Sequence, residues 1–276
     1  MPRSPDEKAL TDRLSKLYPL GQSKIALDIE RTICGCDYGG TSYATRREVD
    51  EIAGLLDLAP GQRLLDIGAG AGWPALYWAR TTGCDAVLSD VPLAALRIAA
   101  KRAVADSTSR NCWAVAAEGV ALPFKSGSFD SVSHSDVLCC LDRKLATLKE
   151  CRRVIRPGGR MVFSVIFPAP NLASADYERA IRFGPPFVAT AVDYPTMLRE
   201  SGWAVTHHHD LTGEYAKTLR LLLREEETHA DALIELYGEA EFSETLTRRR
   251  MATQIAADGH MRRELFAATT APFPMS

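Results

Sequence analysis

A short apolar run that opens onto alternating glycines, LLDIGAGAGW from Leu64 to Trp73, constrains this chain more than any other segment. Arg63–Ile67 has the composition of a buried strand, and Pro74–Arg80 reads as the helix that follows it. Between them Gly68, Gly70 and Gly72 fall at alternate positions. Glycine there permits positive φ and lets backbone come close to a ligand. By itself the pattern is unspecific, because many strand-to-helix turns carry it for nucleotides of several kinds, nicotinamide and flavin cofactors included. The dinucleotide fingerprint G-x-G-x-x-G would need its third glycine at position 73, where this chain has Trp73.

The surrounding sequence alternates strand and helix. Ala86–Ser89 is a second strand and Leu93–Ala105 an Ala-rich helix; Cys112–Ala116 and Asp130–Ser135 are two further strands. Lys144–Val154 is a helix with Leu145, Leu148, Cys151 and Val154 on one face, broken by the Pro-Gly-Gly at 157–159, which launches the strand Arg160–Phe167. Such alternation implies an α/β fold with a parallel sheet, doubly wound by right-handed crossovers, and a site at the carboxyl edge of the sheet. Upstream, residues 6–18 have helical spacing, Cys34–Tyr43 is Gly-rich, and Arg46–Leu56 is again helical. Downstream come a helix at Tyr194–Glu200, a strand at Trp203–His207, a polar helical stretch from Glu214 to about Asp258, and a closing strand at Met261–Ala268. That stretch exceeds what a sheet connection requires, and reads as a substrate cover or as a structural appendage. The expectation is a single domain over residues 1–276. Its core spans about 46–170 and 193–212 plus 260–270, with N-terminal helices in 1–45 and a helical cover over about 213–258.

Two positions beyond the glycines suit a nucleoside. Asp90 ends the second strand about twenty residues on, where a carboxylate can accept from both ribose hydroxyls; capping the next helix at Pro92 is the alternative. In AEGVALPF, Ala117 to Phe124, Glu118 can accept from an adenine amino group while the Gly119 N–H donates to the ring. The other reading of Glu118 is a solvent-exposed loop carboxylate.

Taken together, LLDIGAGAG, LSD with Asp90, EGVALPF, SFDSV (Ser128–Val132) and RVIRPGGRMVF (Arg153–Phe163) resemble, in order and spacing, the class I S-adenosylmethionine-dependent methyltransferases of the small-molecule branch. The resemblance implies a Rossmann-like seven-stranded sheet with an antiparallel last strand, and S-adenosylmethionine as cofactor. It implies that Gly68, Ala69 and Gly70 cradle the methionine end, and that Asp66 orients that loop or reaches the amino group through water. Asp90 would hold the ribose, Val91 would pack on adenine, and Glu118 stands where the family usually has aspartate. His134 and Ser135 fall where the family's backbone meets the sulfonium. Tyr43, in GGTSY, falls where related enzymes often place an aromatic over the cofactor, and cation–π attraction supplies a reason; plain core is the alternative. Many relatives carry a histidine at the positions of Cys139 and Cys140. Its absence leaves Asp136 or His134 as candidate acceptor-binding, catalytic residues. The implied reaction is methyl transfer to N, O, C or S of a small molecule by in-line displacement. An RNA or protein methyltransferase, a non-catalytic cofactor-binding regulator and an NAD-dependent oxidoreductase are the competing classes.

Composition narrows the partners. The formal net charge of -2 gives no electrostatic reason to expect a nucleic acid. Arg248–Arg250 is a short basic run among acids and reads as a solvated helix face. No apolar run is long enough to span a bilayer, and the polar N-terminus lacks the apolar core of a leader. The seven cysteines have neither a secretory context nor zinc spacing, so free thiols, a cytoplasmic location and no metal are expected. Three consecutive strand residues, His207–His209, cannot all reach one ion. The expected reading is one inward and two solvated histidines, the inward one serving as a base in the acceptor pocket if it is functional. The expected partner is a small-molecule acceptor, with no membrane, and with a homodimer as the form of any self-association.

Overall fold

The computed structural model describes residues 3–270. At its centre lies one sheet of seven strands: β1 (Arg63–Ile67), β2 (Asp85–Asp90), β3 (Cys112–Ala116), β4 (Phe129–Ser135), β5 (Ile155–Pro168), β6 (Trp203–Asp210) and β7 (Met261–Thr270). Their spatial order is β3-β2-β1-β4-β5-β7-β6. β1 to β5 pair in parallel, and β7 runs antiparallel to both β5 and β6. The expected mixed sheet with a reversed last strand is present. Strand order turns back between β1 and β4, and that switch point opens a crevice at the carboxyl ends of the strands.

Helices cover both faces because successive strand residues point to opposite sides. Leu64, Ala86, Leu88, Val162 and Leu265 are buried with Ile52, Trp78 and Ala99 of the covering helices. Leu65, Ile67, Val132, Phe163 and Phe266 are buried on the other side with Leu148 and Leu198. In chain order the helices are α1 (Pro5–Gly21), α2 (Lys24–Cys34), α3 (Arg46–Leu56), α4 (Ala75–Thr82), α5 (Leu93–Ala105), α6 (Lys144–Val154), α7 (Ser174–Phe183), α8 (Tyr194–Glu200), α9 (Thr212–Thr228), α10 (Ala230–Tyr237) and α11 (Glu239–Ala257). The Thr45 hydroxyl caps α3 by accepting from the Glu48 N–H, which fixes where that helix starts.

Three differences from the sequence reading appear, two of them at glycines with positive φ. The Pro-Gly-Gly lies within β5: Ile155 pairs with Phe129 and Arg160 with Ser131, so residues 156–159 loop out of the ladder, with Gly158 at φ 76°. The polar stretch after Glu214 is not one helix but α9, α10 and α11, the last break falling at Gly238 with φ 84°. A further helix, α7, lies between β5 and α8. α2 packs with α9, α10 and α11 around Ile29, Leu233 and Phe242, a satellite core separate from the sheet. None of the described helices is long and apolar enough to cross a membrane.

Candidate active site

The glycine bend is fixed by hydrogen bonds to the end of β2. The N–H groups of Gly68 and Ala69 donate to the Ser89 carbonyl at 2.7 and 3.2 Å, and the Gly70 N–H donates to Asp90 Oδ2 at 2.8 Å. Gly68 and Gly70 hold φ of 67° and 53°, the left-handed region. A methyl on Gly68 would collide with Val137, and one on Gly70 would lie 2.7 Å from the Tyr18 hydroxyl. The space these glycines leave is therefore used first by the chain's own side chains.

Two cavities meet at this bend, and a third adjoins the first. The first, of about 330 Å³, is walled by Asp66, Gly68, Ala69, Gly70, Ser135, Asp136, Tyr18, Tyr43 and Tyr215, among others. A second, of about 160 Å³, shares Gly68, Ser135 and Tyr18 with it and extends to Asp90, Val91, Glu118 and Gly119. A third, of about 270 Å³, shares Tyr18, Tyr43 and Arg249 with the first and runs between α2 and α9–α11 along Ile29, Ile33, Leu222, Leu233 and Phe242. The structure thus brings together every sequence-predicted site residue except His134.

Asp66 is 2% exposed, and its Oδ2 has no hydrogen-bond partner. Burial holds its carboxyl well above the usual carboxylate range; the nearby Asp90 charge adds to this, and the Ser133 hydroxyl opposes it. Burial also raises Asp90, against the stabilising N–H groups of Val91 and Gly70. Its Oδ1 accepts from Val91 at 2.7 Å, so each carboxylate oxygen is engaged once and retains a lone pair. Glu118 is not a free loop carboxylate: Arg3 Nε lies at 3.3 Å and Arg143 Nη2 at 3.2 Å. The Tyr43 hydroxyl accepts from Arg249 Nη1 at 3.1 Å, and its ring stands edge-on to Tyr215 at 5.1 Å. Arg249 is paired with Glu226 at 3.2 Å.

Asp136, at φ 55°, sits at the edge of a buried ion network. Arg263 on β7 is 1% exposed, and its Nε reaches both Asp136 oxygens at 3.0 and 2.9 Å. Its Nη atoms grip Glu48 of α3 at 2.7 and 2.6 Å, and Nη2 reaches the Ser164 hydroxyl at 2.9 Å. Burial raises Glu48, with Arg263 opposing; burial works against the Arg263 charge, and Asp136 and Glu48 outweigh it.

Three expectations need correction. His134 is fully buried within the sheet, stacked on Phe163 at 4.6 Å, and walls none of the three cavities. Burial alone lowers it to about 3, so it stays neutral there, and both ring nitrogens lack partners. Strand periodicity explains the misplacement, since Ser135 and His134 point to opposite faces. Arg248–Arg250 is not a uniformly solvated face: Arg248 and Arg249 line the first cavity, while Arg250 pairs outside with Glu227. None of His207, His208 and His209 is buried or walls these cavities, so none is the single inward histidine expected of that strand.

A family model described as a methyltransferase domain matches residues 65–163, from β1 into β5. That stretch is similar to a methyltransferase domain, on a seven-stranded sheet of class I fold. The 27-O-demethylrifamycin SV methyltransferase of Amycolatopsis mediterranei (strain S699) is 33% identical over 165 residues, covering 58% of this chain and 60% of that protein. The phosphoethanolamine N-methyltransferase of Triticum aestivum is 24% identical over 221 residues, covering 79% of this chain and 43% of that protein. The chain therefore spans less than two thirds of the length of these relatives. Among solved structures, the geranyl diphosphate C-methyltransferase of Streptomyces coelicolor A3(2), in complex with Mg2+, geranyl diphosphate and S-adenosylhomocysteine, superposes with a TM-score of 0.72 at 15% identity, covering 98% of this chain and 100% of that one. The cyclase SpnF superposes with a TM-score of 0.77 at 20% identity, covering 98% of both chains. These structural likenesses establish the fold. One is a methyltransferase and the other a cyclase, so architecture does not select the reaction.

The matched methyltransferase domain holds Asp66, the glycine bend, Asp90, Glu118 and Asp136. Tyr18, Tyr43, Glu48, Tyr215, Arg249 and Arg263 lie outside it, on the elements that close or brace the cavities. Sequence reading missed all of these but Tyr43 as site residues. Tyr18 carries only a helical-spacing signal, and Arg263 sits within an apparently ordinary strand.

Proposed function

We propose that this chain binds S-adenosylmethionine across the first two cavities and transfers its methyl group to a small-molecule acceptor held in the third. The observation that carries the reading is Asp66: a buried carboxylate with a partnerless oxygen, at the wall of a cavity bounded by the glycine bend. Such a group is costly to leave unpaired and favours a cationic donor beside it. The amino group of the cofactor is such a donor. The spare lone pairs of Asp90 suit two ribose hydroxyls, and Val91, Val137 and Leu141 offer apolar walls to a flat base. Tyr18, Tyr43 and Tyr215 present aromatic surface to a sulfonium charge.

S-Adenosylmethionine, when bound, supplies a methyl group on a positively charged sulfur, ready for in-line displacement. What remains for the protein is alignment and exclusion of water, and positioning alone contributes up to about 7–11 kcal/mol in favourable cases. The third cavity orders the acceptor by its apolar walls, and Arg249 with the Tyr43 hydroxyl marks its junction with the first. Asp136 walls the first cavity, held in place by Arg263, and on this reading orients the acceptor's nucleophilic atom. No histidine stands among the residues walling these cavities, which favours an acceptor that attacks without a strong general base. The helical cover and sheet act as a single domain.

Calorimetric titration of S-adenosylhomocysteine tests the cofactor half of this reading. Asp90→Ala should weaken binding by roughly 1.5–3 kcal/mol, the worth of a hydrogen bond to a charged group, with NAD giving no heat in either protein. Unchanged affinity in a variant that still folds rejects the ribose assignment. Because Asp90 also holds Gly70 and Val91, Asp90→Asn serves as a milder companion. Methyl-labelled cofactor offered with panels of small acceptors tests the transfer half. Tight binding with no label transferred, but acceptor still consumed, supports the cyclase-like reading that the SpnF superposition brings in.

A further inference from the structure

The histidines at 207–209 take no part in the reaction above, yet two of them converge with a carboxylate. β6 is the edge strand of the sheet, and its register against β7 slips between Val205 and His207, leaving Thr206 as an extra residue. Beyond the bulge, side chains alternate between faces. His208 turns toward the α8 side, where it stacks on Phe266 at 4.6 Å and its Nε2 lies 2.8 Å from Glu264. His207 and His209 turn together to the opposite face, where α3 carries Glu51. His209 Nδ1 is 3.2 Å, and His207 Nε2 3.8 Å, from the same Glu51 Oε1. All three ligand atoms lie within 4.8 Å of one another.

We propose that Glu51, His207 and His209 form a binding site for a divalent transition-metal ion of the zinc type. The donor set, two imidazole nitrogens and one carboxylate oxygen, suits borderline ions such as zinc, cobalt or nickel; calcium and magnesium prefer all-oxygen shells. Ligand bonds of about 2.0–2.1 Å around a tetrahedral ion place the ligand atoms about 3.3–3.4 Å apart. The observed separations of 3.2 and 3.8 Å from Glu51 bracket that spacing, and the two imidazole nitrogens lie within 4.8 Å of each other, so side-chain adjustment brings all three onto one ion. The contact between His209 and Glu51 already holds two ligands together. The three side chains are 35–43% exposed, which leaves a fourth position to water or an external ligand. None of them walls the three cavities, so the ion would not meet the cofactor. It would link the edge strand to α3, the helix that delivers Glu48 to Arg263 one turn earlier.

The test is titration of the tag-free, chelator-stripped chain with Zn2+ by calorimetry and with Co2+ by absorption. The expected result is a single equivalent of Co2+ with visible d–d bands and no near-ultraviolet thiolate charge transfer, which separates this site from the seven cysteines. Removing a ligand should cost at least the roughly tenfold to hundredfold typical of losing a group that merely supports one. His209→Ala and Glu51→Gln should each show that loss, and His208→Ala should bind as tightly as the parent. Circular dichroism and thermal unfolding establish that each variant is folded. Absence of binding, parental affinity in His209→Ala and Glu51→Gln, or a thiolate band would overturn the proposal.

Discussion

Asp66 and His134 stand on adjoining strands, both buried and both with unpartnered polar atoms, yet burial acts on them in opposite directions. For an acid it favours the protonated form, and for an imidazole the neutral one. His134 falls from 6.5 to about 3, so between those values the folded chain binds fewer protons than the unfolded chain. Its contribution is therefore complete above pH 6.5 and lost as the pH drops toward 3, by about 2 kcal/mol at pH 5. His134→Leu should flatten that acid loss, measured as urea midpoints at pH 7 and pH 5; an unchanged slope would show that other groups carry it. The sequence displayed His134 beside Ser135 and Asp136 with nothing to mark which faced inward. Asp66 and the glycines were legible because their chemistry is local to one bend, whereas the fate of His134 depended on which strand face met the cavity.

At the scale of elements, the Arg263 network joins β7, α3 and the end of β4 through partners 215 and 127 residues apart in sequence. Separation of that size leaves no periodic trace, which is why Glu48 and Arg263 could not be read as partners. The strands and the α4–α6 crossovers were legible from alternation and glycine breaks. The cover was legible only as a polar helical stretch, because α11 shows almost no segregation of apolar and polar residues around its circumference. Its inward Arg249 is satisfied by Glu226 and Tyr43 rather than by an apolar stripe. Arg263→Met should destabilise the chain by about 3–5 kcal/mol, because it leaves two carboxylates buried without their cation. Arg263→Met with Glu48→Met should recover part of that loss. Denaturant unfolding decides, and a double variant no more stable than the single one would show that the network is held by something other than charge.

Across the whole molecule, the cavity walls are divided between two bodies of structure. The sheet supplies the bend, Asp66 and Asp90. The helices before and after it, α1, α2 and α9–α11, close the crevice and build the apolar chamber around Ile29, Leu233 and Phe242. The family match covers the first body and stops short of the second. On the proposed reading, acceptor choice falls to the part of the chain outside the matched segment. A ligand seated between the two bodies stabilises both at once, and S-adenosylhomocysteine at a hundredfold excess over its Kd should raise the unfolding free energy by about 2.7 kcal/mol. No stabilisation at saturating ligand would mean that the crevice is not its site.

The most direct measurement is a crystal structure of the chain with S-adenosylhomocysteine. The account predicts the amino group of the homocysteine moiety within hydrogen-bonding reach of Asp66 Oδ2, directly or through one water, the ribose hydroxyls on Asp90, and the sulfur facing the junction of Tyr43 and Asp136. A ligand bound elsewhere, or lying with its adenine in the glycine bend, would contradict it.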